Sequence, residues 1–138
     1  MRRKKVVKNP RTKRTRNGET WTESEFFAKI RSSLRNISRF WVPAKLAKEM
    51  ARRAYKGINK RQKWEYLCNH CNNWFSEKNI QADHIEEAGT LKSFDDLKGF
   101  CERLFCEISG YQILCTSCHN IKTKEYIKNK KGEINGKK

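Results

Sequence analysis

The sequence lacks any apolar run long enough to span a membrane, and Met1 is followed at once by four basic residues instead of a secretory signal. We therefore expect a cytoplasmic protein with reduced thiols, in which cysteines serve metal binding more readily than disulfides. Internal repeats are also absent. With 138 residues the chain has room for one modest domain, whose small core a bound metal would stabilise substantially.

Acidic residues are scarce, because 15 Asp and Glu stand against 32 Lys and Arg, which gives a formal charge of +17. Residues 1–18 carry nine basic and no acidic residues, residues 39–64 nine basic and one acidic, and residues 128–138 five basic and one acidic. No amphipathic apolar anchor accompanies these runs, so we expect a nucleic acid partner and not a membrane. The alternative is that the tails only increase solubility.

The N-terminal part divides into a tail and a helix. Residues 1–18 lack apolar periodicity, so we expect a disordered basic tail over residues 1–20 that can order along a phosphate backbone. Thr22 and Glu25 have the spacing of a capping box, and apolar residues then recur on one helical face. The pattern predicts a helix over about residues 23–39.

A second, basic helix is predicted to begin at Pro43 and to end at Gly57, so that residues 21–63 form a basic helical extension. Beyond it, residues 72–75 and 79–82 have the composition of two short strands joined by a tight turn. We expect these strands to form a hairpin that delivers the residues at its exit to a site.

The C-terminal part alternates helices with turns. Ser93 and Asp96 cap a predicted helix that runs to about residue 107. A last helix is predicted over about residues 117–128, and residues 129–138 should form a polar, basic and mobile tail.

Four cysteines in two C-x2-C pairs match the ligand set of a tetrahedral zinc ion, because each short turn points two sulfurs at one centre. The four are Cys68, Cys71, Cys115 and Cys118. The pairs are separated by 43 residues, more than a plain zinc ribbon uses, so further structure lies between them. A structural zinc ion contributes roughly 10–16 kcal/mol in favourable peptides, so its removal should unfold the domain.

Two other interpretations of the paired cysteines remain open. Either pair could be a redox C-x-x-C, and Cys115 to His119 spells a c-type haem attachment site, which would leave the first pair unexplained. Cys101 and Cys106 stand apart from both pairs, and we expect them to be small buried apolar residues.

Asp83 and His84 lie between the two pairs, and His119 follows the second pair directly. Each could be an ordinary surface residue. Together with the cysteines, however, two runs of residues resemble an HNH endonuclease of the four-cysteine class common in bacteriophages. They are Gln81-Ala82-Asp83-His84-Ile85 and Gln112-Ile113-Leu114-Cys115, the second of which is followed by Cys118 and His119. The resemblance covers about residues 64–127.

The resemblance implies an α+β fold with a zinc-stapled ββα-metal (HNH or His-Me finger) core in an HNH nuclease domain over residues 64–128. By the same likeness, His84 is the general base. Asp83 and His119 hold a catalytic divalent ion, Mg²⁺ or Mn²⁺, while zinc is structural. The implied activity is hydrolysis of DNA phosphodiester bonds to a 5′ phosphate and a 3′ hydroxyl.

The sequence departs from the family pattern at Gly110, which stands where the middle Asn of the HNH name usually lies. Asn120 follows His119 and is not assigned that role. Lys122 and Thr123 match the family's ending, where they either touch a phosphate or form a solvated helix face. The alternative function is a non-catalytic, zinc-stapled nucleic-acid-binding module. The family also suggests a phage or restriction complex as a protein partner, in the cytoplasm of a phage-infected bacterial host.

Overall fold

The computed structural model describes residues 12–136, which fold into four α-helices and seven short strands. The helices are α1 (Glu23–Ser38), α2 (Val42–Met50), α3 (Leu97–Leu104) and α4 (Thr116–Gly136). The strands are β1 (Arg14–Arg16), β2 (Trp21–Thr22), β3 (Arg52–Ala54), β4 (Trp64–Leu67), β5 (Trp74–Phe75), β6 (Ile80–His84) and β7 (Tyr111–Cys115). The predicted α+β class is confirmed. None of the described helices is long and apolar enough to cross a membrane.

Strands β6 and β7 pair antiparallel over their whole length, and α4 begins at the residue after β7 ends. The register sets Asp83 opposite Gln112 and His84 opposite Tyr111. Because side chains alternate along a strand, Asp83 and Gln112 share one face of this pair, and His84 and Tyr111 share the other. Residues 83 and 84 therefore meet different neighbours.

The predicted hairpin between residues 72–75 and 79–82 is wrong. Strand β5 pairs with β4, in the sheet β3-β4-β5, and β6 pairs with β7. The five-residue β6 finds a five-residue partner in β7, whereas β5 offers only two residues. The long pairing also buries Ile80 and Ile113 together in one core cluster, which a local hairpin would not do.

The basic tail predicted over residues 1–20 is wrong for its described part, and residues 1–11 lie outside the described residues. Strands β1 and β2 form a hairpin whose turn places Asn17, Gly18 and Glu19 at positive φ. Asn-Gly is a strong hairpin signal for this reason. The guanidinium of Arg16 then bonds Glu23 of α1 at 2.8 Å and 3.0 Å, which fastens the hairpin to the helix.

Helix α1 agrees with the prediction, and the Thr22 hydroxyl accepts a hydrogen bond from the Glu25 N–H at 3.1 Å as its N-cap. Helix α2 was predicted to reach Gly57 but ends at Met50, because the next residues form β3 and pair with β4. The expectation of a mobile polar tail from residue 129 is also wrong, because α4 continues to Gly136.

Two apolar clusters hold the elements around the β6–β7 pair. The first joins α1 to α3 and consists of Phe27, Ala88, Leu91, Phe100 and Leu104. The second joins α2 to the sheet β3-β4-β5 and to the β6–β7 pair, and consists of Ala47, Tyr66, Ile80, Tyr111 and Ile113. The basic extension over residues 21–63 thus packs into the same core as the segment that carries the motifs.

Candidate active site and metal centre

The four cysteine sulfurs of the two C-x2-C pairs lie within 4.8 Å of one another, in the cluster Cys68, Cys71, Cys115 and Cys118. Cys68 is fully buried, and the Cys71 and Cys115 sulfurs are 4.0 Å apart. Sulfurs around a tetrahedral zinc ion, at about 2.3 Å from the metal, lie roughly 3.8 Å apart. The arrangement therefore fits a structural metal such as zinc, and Cys101 and Cys106 take no part in it.

Backbone N–H groups prepare this cluster for a cation. Burial raises the pKa of the Cys68 thiol, but N–H groups of Cys115, Cys71 and His70 outweigh it and lower that pKa to about 6. At Cys118 the opposite occurs, because hydrogen bonding to the neighbouring Cys115 thiol, with burial, raises the pKa to about 12. One sulfur is thus ready as a thiolate, and the cation must displace a proton from another.

His70 is a residue of this centre that the sequence analysis did not single out. Its Nδ1 lies 3.4 Å from the Cys118 sulfur, in contact with a ligand of the expected ion. In the sequence, its position between the two cysteines of the first pair could have indicated that it lies near the metal centre. Asn69 bonds β7 twice, because its N–H donates to the Ile113 carbonyl at 2.7 Å and its side-chain oxygen accepts from the Ile113 N–H at 2.6 Å.

Two further cysteines lie outside the cluster. Cys101 and Cys106 were predicted to be buried apolar residues, and both are only partly buried. Cys106 packs against the second apolar cluster, and its carbonyl accepts a hydrogen bond from the Trp41 indole at 2.6 Å. These contacts give Cys106 a packing role.

Asp83 lies at the centre of a second group of polar side chains. It is only 7% exposed, and its two carboxylate oxygens have different neighbours. Oδ2 accepts hydrogen bonds from Gln112 Nε2 at 3.1 Å and from Lys122 Nζ at 2.5 Å. Oδ1 faces His119 Nε2 at 3.5 Å. The structure therefore brings Asp83 and His119 together, as predicted, and adds Gln112 and Lys122.

Helix α4 places two of these side chains. His119 and Lys122 are three residues apart, so they lie on the same side of the helix and both reach Asp83 on β6. Two ligands that share one divalent ion at about 2.0–2.2 Å each lie roughly 3–3.5 Å apart. The separation of Oδ1 and Nε2 fits such an ion, and a carboxylate with an imidazole suits Mg²⁺ or Mn²⁺ better than thiolates do.

The His84 ring lies on the other face of β6. Its Nε2 is 2.9 Å from the Leu104 carbonyl oxygen, and its ring packs against Tyr111 with centroids 4.8 Å apart. Leu104 is the last residue of α3, and the final carbonyls of a helix have no partner within it. Because a carbonyl only accepts hydrogen bonds, Nε2 carries the hydrogen and Nδ1 keeps its lone pair. The ring therefore faces α3, on the side of β6 opposite to the Asp83 carboxylate, and the structure does not bring it into the group formed by Asp83 and His119.

Gly110 fits its position closely. A Cβ at residue 110 would lie 2.5 Å from the Cys106 sulfur, so a side chain here would displace Cys106. The Gly110 carbonyl accepts a hydrogen bond from the Ile85 N–H at 2.9 Å. The loop after His84 is therefore bonded to the start of β7 through the backbone, without an Asn side chain.

The chain was compared with protein-family models, with curated proteins and with solved structures. No family model, curated protein or solved structure matches it. The HNH resemblance therefore stays a prediction that depends on the motifs and on the geometry described above.

Proposed function

We propose that this chain is a metal-dependent HNH endonuclease that hydrolyses DNA phosphodiester bonds. The observation that carries the proposal is the 3.5 Å approach of His119 Nε2 to Asp83 Oδ1. These two residues are 36 positions apart in the sequence, and the fold brings their side chains to one point. His84 follows Asp83 in the chain and presents its ring on the other face of β6.

The local topology supports the proposal. An antiparallel strand pair followed at once by a helix is the arrangement that a ββα-metal finger implies. In this chain β6 supplies Asp83 and His84, β7 supplies the pairing that holds them, and α4 supplies His119. The cysteine cluster sits at the junction of β7 and α4 and joins it to the first C-x2-C pair.

His84 is the general base in this proposal. The hydrogen bond between its Nε2 and Leu104 fixes the tautomer, so Nδ1 can accept a proton from the attacking water. The water oxygen forms a bond to phosphorus, the P–O3′ bond breaks, and the 3′ oxygen leaves and takes up a proton from solvent. A 5′ phosphate and a 3′ hydroxyl result.

Asp83 and His119 would hold the catalytic ion. When bound, a divalent cation such as Mg²⁺ or Mn²⁺ neutralises the charge that develops on the phosphate and the leaving oxygen. Asp83 is well suited to this task because Gln112 holds one carboxylate oxygen and leaves the other directed at His119. Zinc at the four cysteines would be structural and take no part in the reaction.

DNA would bind through its backbone. The segment between β3 and β4 carries four exposed basic side chains, Lys56, Lys60, Arg61 and Lys63. On the adjoining sheet, the Arg52 guanidinium lies 4.1 Å from the centroid of Trp64, and that of Arg53 lies 3.7 Å from the centroid of Trp74. Arg and Lys contacts to phosphates position a duplex without reading its sequence, so we expect low sequence specificity.

A second candidate is a non-catalytic module that binds nucleic acid with the same fold. The absence of an Asn side chain at Gly110, where Cys106 fills the space, favours this alternative. Both candidates require the zinc centre and the basic surface, and they differ only in whether the Asp83 group performs chemistry.

The test is a supercoiled-plasmid assay with Mg²⁺, Mn²⁺ or Ni²⁺ that compares the wild type with His84→Ala. The endonuclease requires metal-dependent nicking that the substitution reduces by at least about a hundredfold, because it removes the general base. Zinc content and thermal unfolding of both proteins show whether the fold is intact. Cutting that His84→Ala leaves unchanged, or plasmid binding without cutting, supports the binding module.

A further inference from the structure

The Lys122 ammonium lies among three oxygen atoms at the end of β6. Its Nζ is 2.5 Å from Asp83 Oδ2, 2.5 Å from the His84 carbonyl oxygen and 3.4 Å from Glu87 Oε1. Only 26% of the Lys122 side chain is exposed, and Asp83 is nearly buried. An ammonium group has three hydrogen-bond donors and no acceptor, so three oxygens match its full capacity.

We propose that Lys122 is a built-in second cation of the candidate active site, which supplies positive charge beside Asp83 as a second divalent ion would. This inference rests on the proposed function, because it concerns the same carboxylate. Asp83 has one oxygen directed at His119 and the other at Lys122. In two-metal nucleases, the paired ions lie about 3.5–4 Å apart and together stabilise the attacking and leaving oxygens.

The contacts of Lys122 have two consequences. Its ammonium links the Asp83 carboxylate, the His84 backbone and Glu87 to α4. Its positive charge also lies beside the carboxylate that would hold the divalent ion. That charge repels the ion, so Lys122 weakens ion binding while it stabilises the negative phosphate.

Removing the charge should therefore change ion binding and DNA cleavage in opposite directions. In Lys122→Met the side chain keeps most of its length and loses its ammonium, while Gln112 still donates to Asp83 Oδ2 and preserves the orientation of the carboxylate. Mn²⁺ should then bind about tenfold more tightly, because a nearby like charge is gone. DNA cleavage should fall by about a hundredfold, because a preorganised positive charge is lost.

The experiment measures both quantities on zinc-loaded protein. Free Mn²⁺ is followed by electron paramagnetic resonance to give the Mn²⁺ dissociation constant, and plasmid cleavage is measured at saturating Mn²⁺. Lys124→Met is the matched control, because Lys124 is an exposed lysine on the same helix. It should leave both quantities within about twofold of the wild type, and Lys122→Arg, which keeps the charge, should retain the wild-type Mn²⁺ affinity.

Weaker Mn²⁺ binding together with slower cleavage in Lys122→Met would overturn the inference, because it is the signature of a merely structural lysine. Unchanged cleavage would overturn it as well. If the wild type cuts no plasmid with any metal, the proposed endonuclease function fails. The Mn²⁺ affinities then still decide whether Lys122 acts as a competing cation at Asp83.

Discussion

The cysteine cluster gives the most direct prediction about stability. Cys68 is fully buried, its sulfur accepts a hydrogen bond from the Cys115 N–H at 3.3 Å, and the cluster joins the first C-x2-C pair to the start of α4. We expect Cys68→Ser to destabilise the fold severely, because serine is a poor zinc ligand and its hydroxyl would be buried without that sulfur contact.

The expected loss of stability in Cys68→Ser follows from the contribution of one ligand to the free energy of zinc binding. A structural zinc ion contributes roughly 10–16 kcal/mol in peptides, so losing one of four ligands removes on the order of 2.5–4 kcal/mol, before any further loss of the ion itself. Domains of this size have a total stability of about 5–15 kcal/mol. Cys68→Ser should therefore lose a large part of its free energy of unfolding, and most of it if the zinc ion is lost as well.

The assay is thermal unfolding followed by circular dichroism, with zinc content measured on the same samples. Cys101→Ser is the matched control, because Cys101 is a free cysteine of the same fold that lies outside the cluster. Wild type and Cys101→Ser should hold one zinc ion and unfold when a chelator removes it. Equal melting temperatures for the two serine variants, or a wild type that stays folded without metal, would refute the reasoning.

Three further predictions concern pH, packing and salt. Zinc affinity should fall by at least about tenfold per pH unit as pH decreases from 8 to 6, because the raised pKa of Cys118 means that zinc displaces at least the proton of this thiol. Competition with a chromophoric chelator measures the affinity, and a flat profile contradicts the prediction. Gly110→Asn should lower the free energy of unfolding by about 1–3 kcal/mol, because the Cβ of the new residue would collide with Cys106. Denaturant unfolding measures this loss, and an unchanged midpoint contradicts the prediction. DNA affinity should fall by about 10³-fold or more between 50 and 200 mM salt if the protein contacts about six phosphates. Fluorescence anisotropy measures the affinity, and a constant value contradicts the prediction.

Features that depend on local sequence were predictable. The spacing of Thr22 and Glu25 placed the start of α1, because an N-cap hydrogen bond involves only residues close in the chain. The two C-x2-C pairs predicted the sulfur cluster, since few other arrangements use four such cysteines. The partnership of Asp83 and His119 came from the motif and not from any local rule.

Features that depend on distant contacts were not predictable in the same way. The pairing of β6 with β7 is decided by the burial of Ile80 and Ile113 in one cluster, which strand composition does not reveal. Strand β3 replaced the last turns of a predicted helix because it found β4 as a partner. Lys122 was expected to reach a phosphate or lie in solvent, and the pitch of α4 instead brings it to Asp83.

The central claim is that Asp83 and His119 hold the ion that cuts DNA, and plasmid nicking in Mn²⁺ tests it most directly. Asp83→Asn keeps the size of the side chain and removes its charge, while Asp95→Asn makes the same change at an exposed residue. We expect Asp83→Asn to reduce nicking by at least about a hundredfold and to weaken Mn²⁺ binding, whereas Asp95→Asn should match the wild type. Equal nicking by the wild type and Asp83→Asn would contradict it.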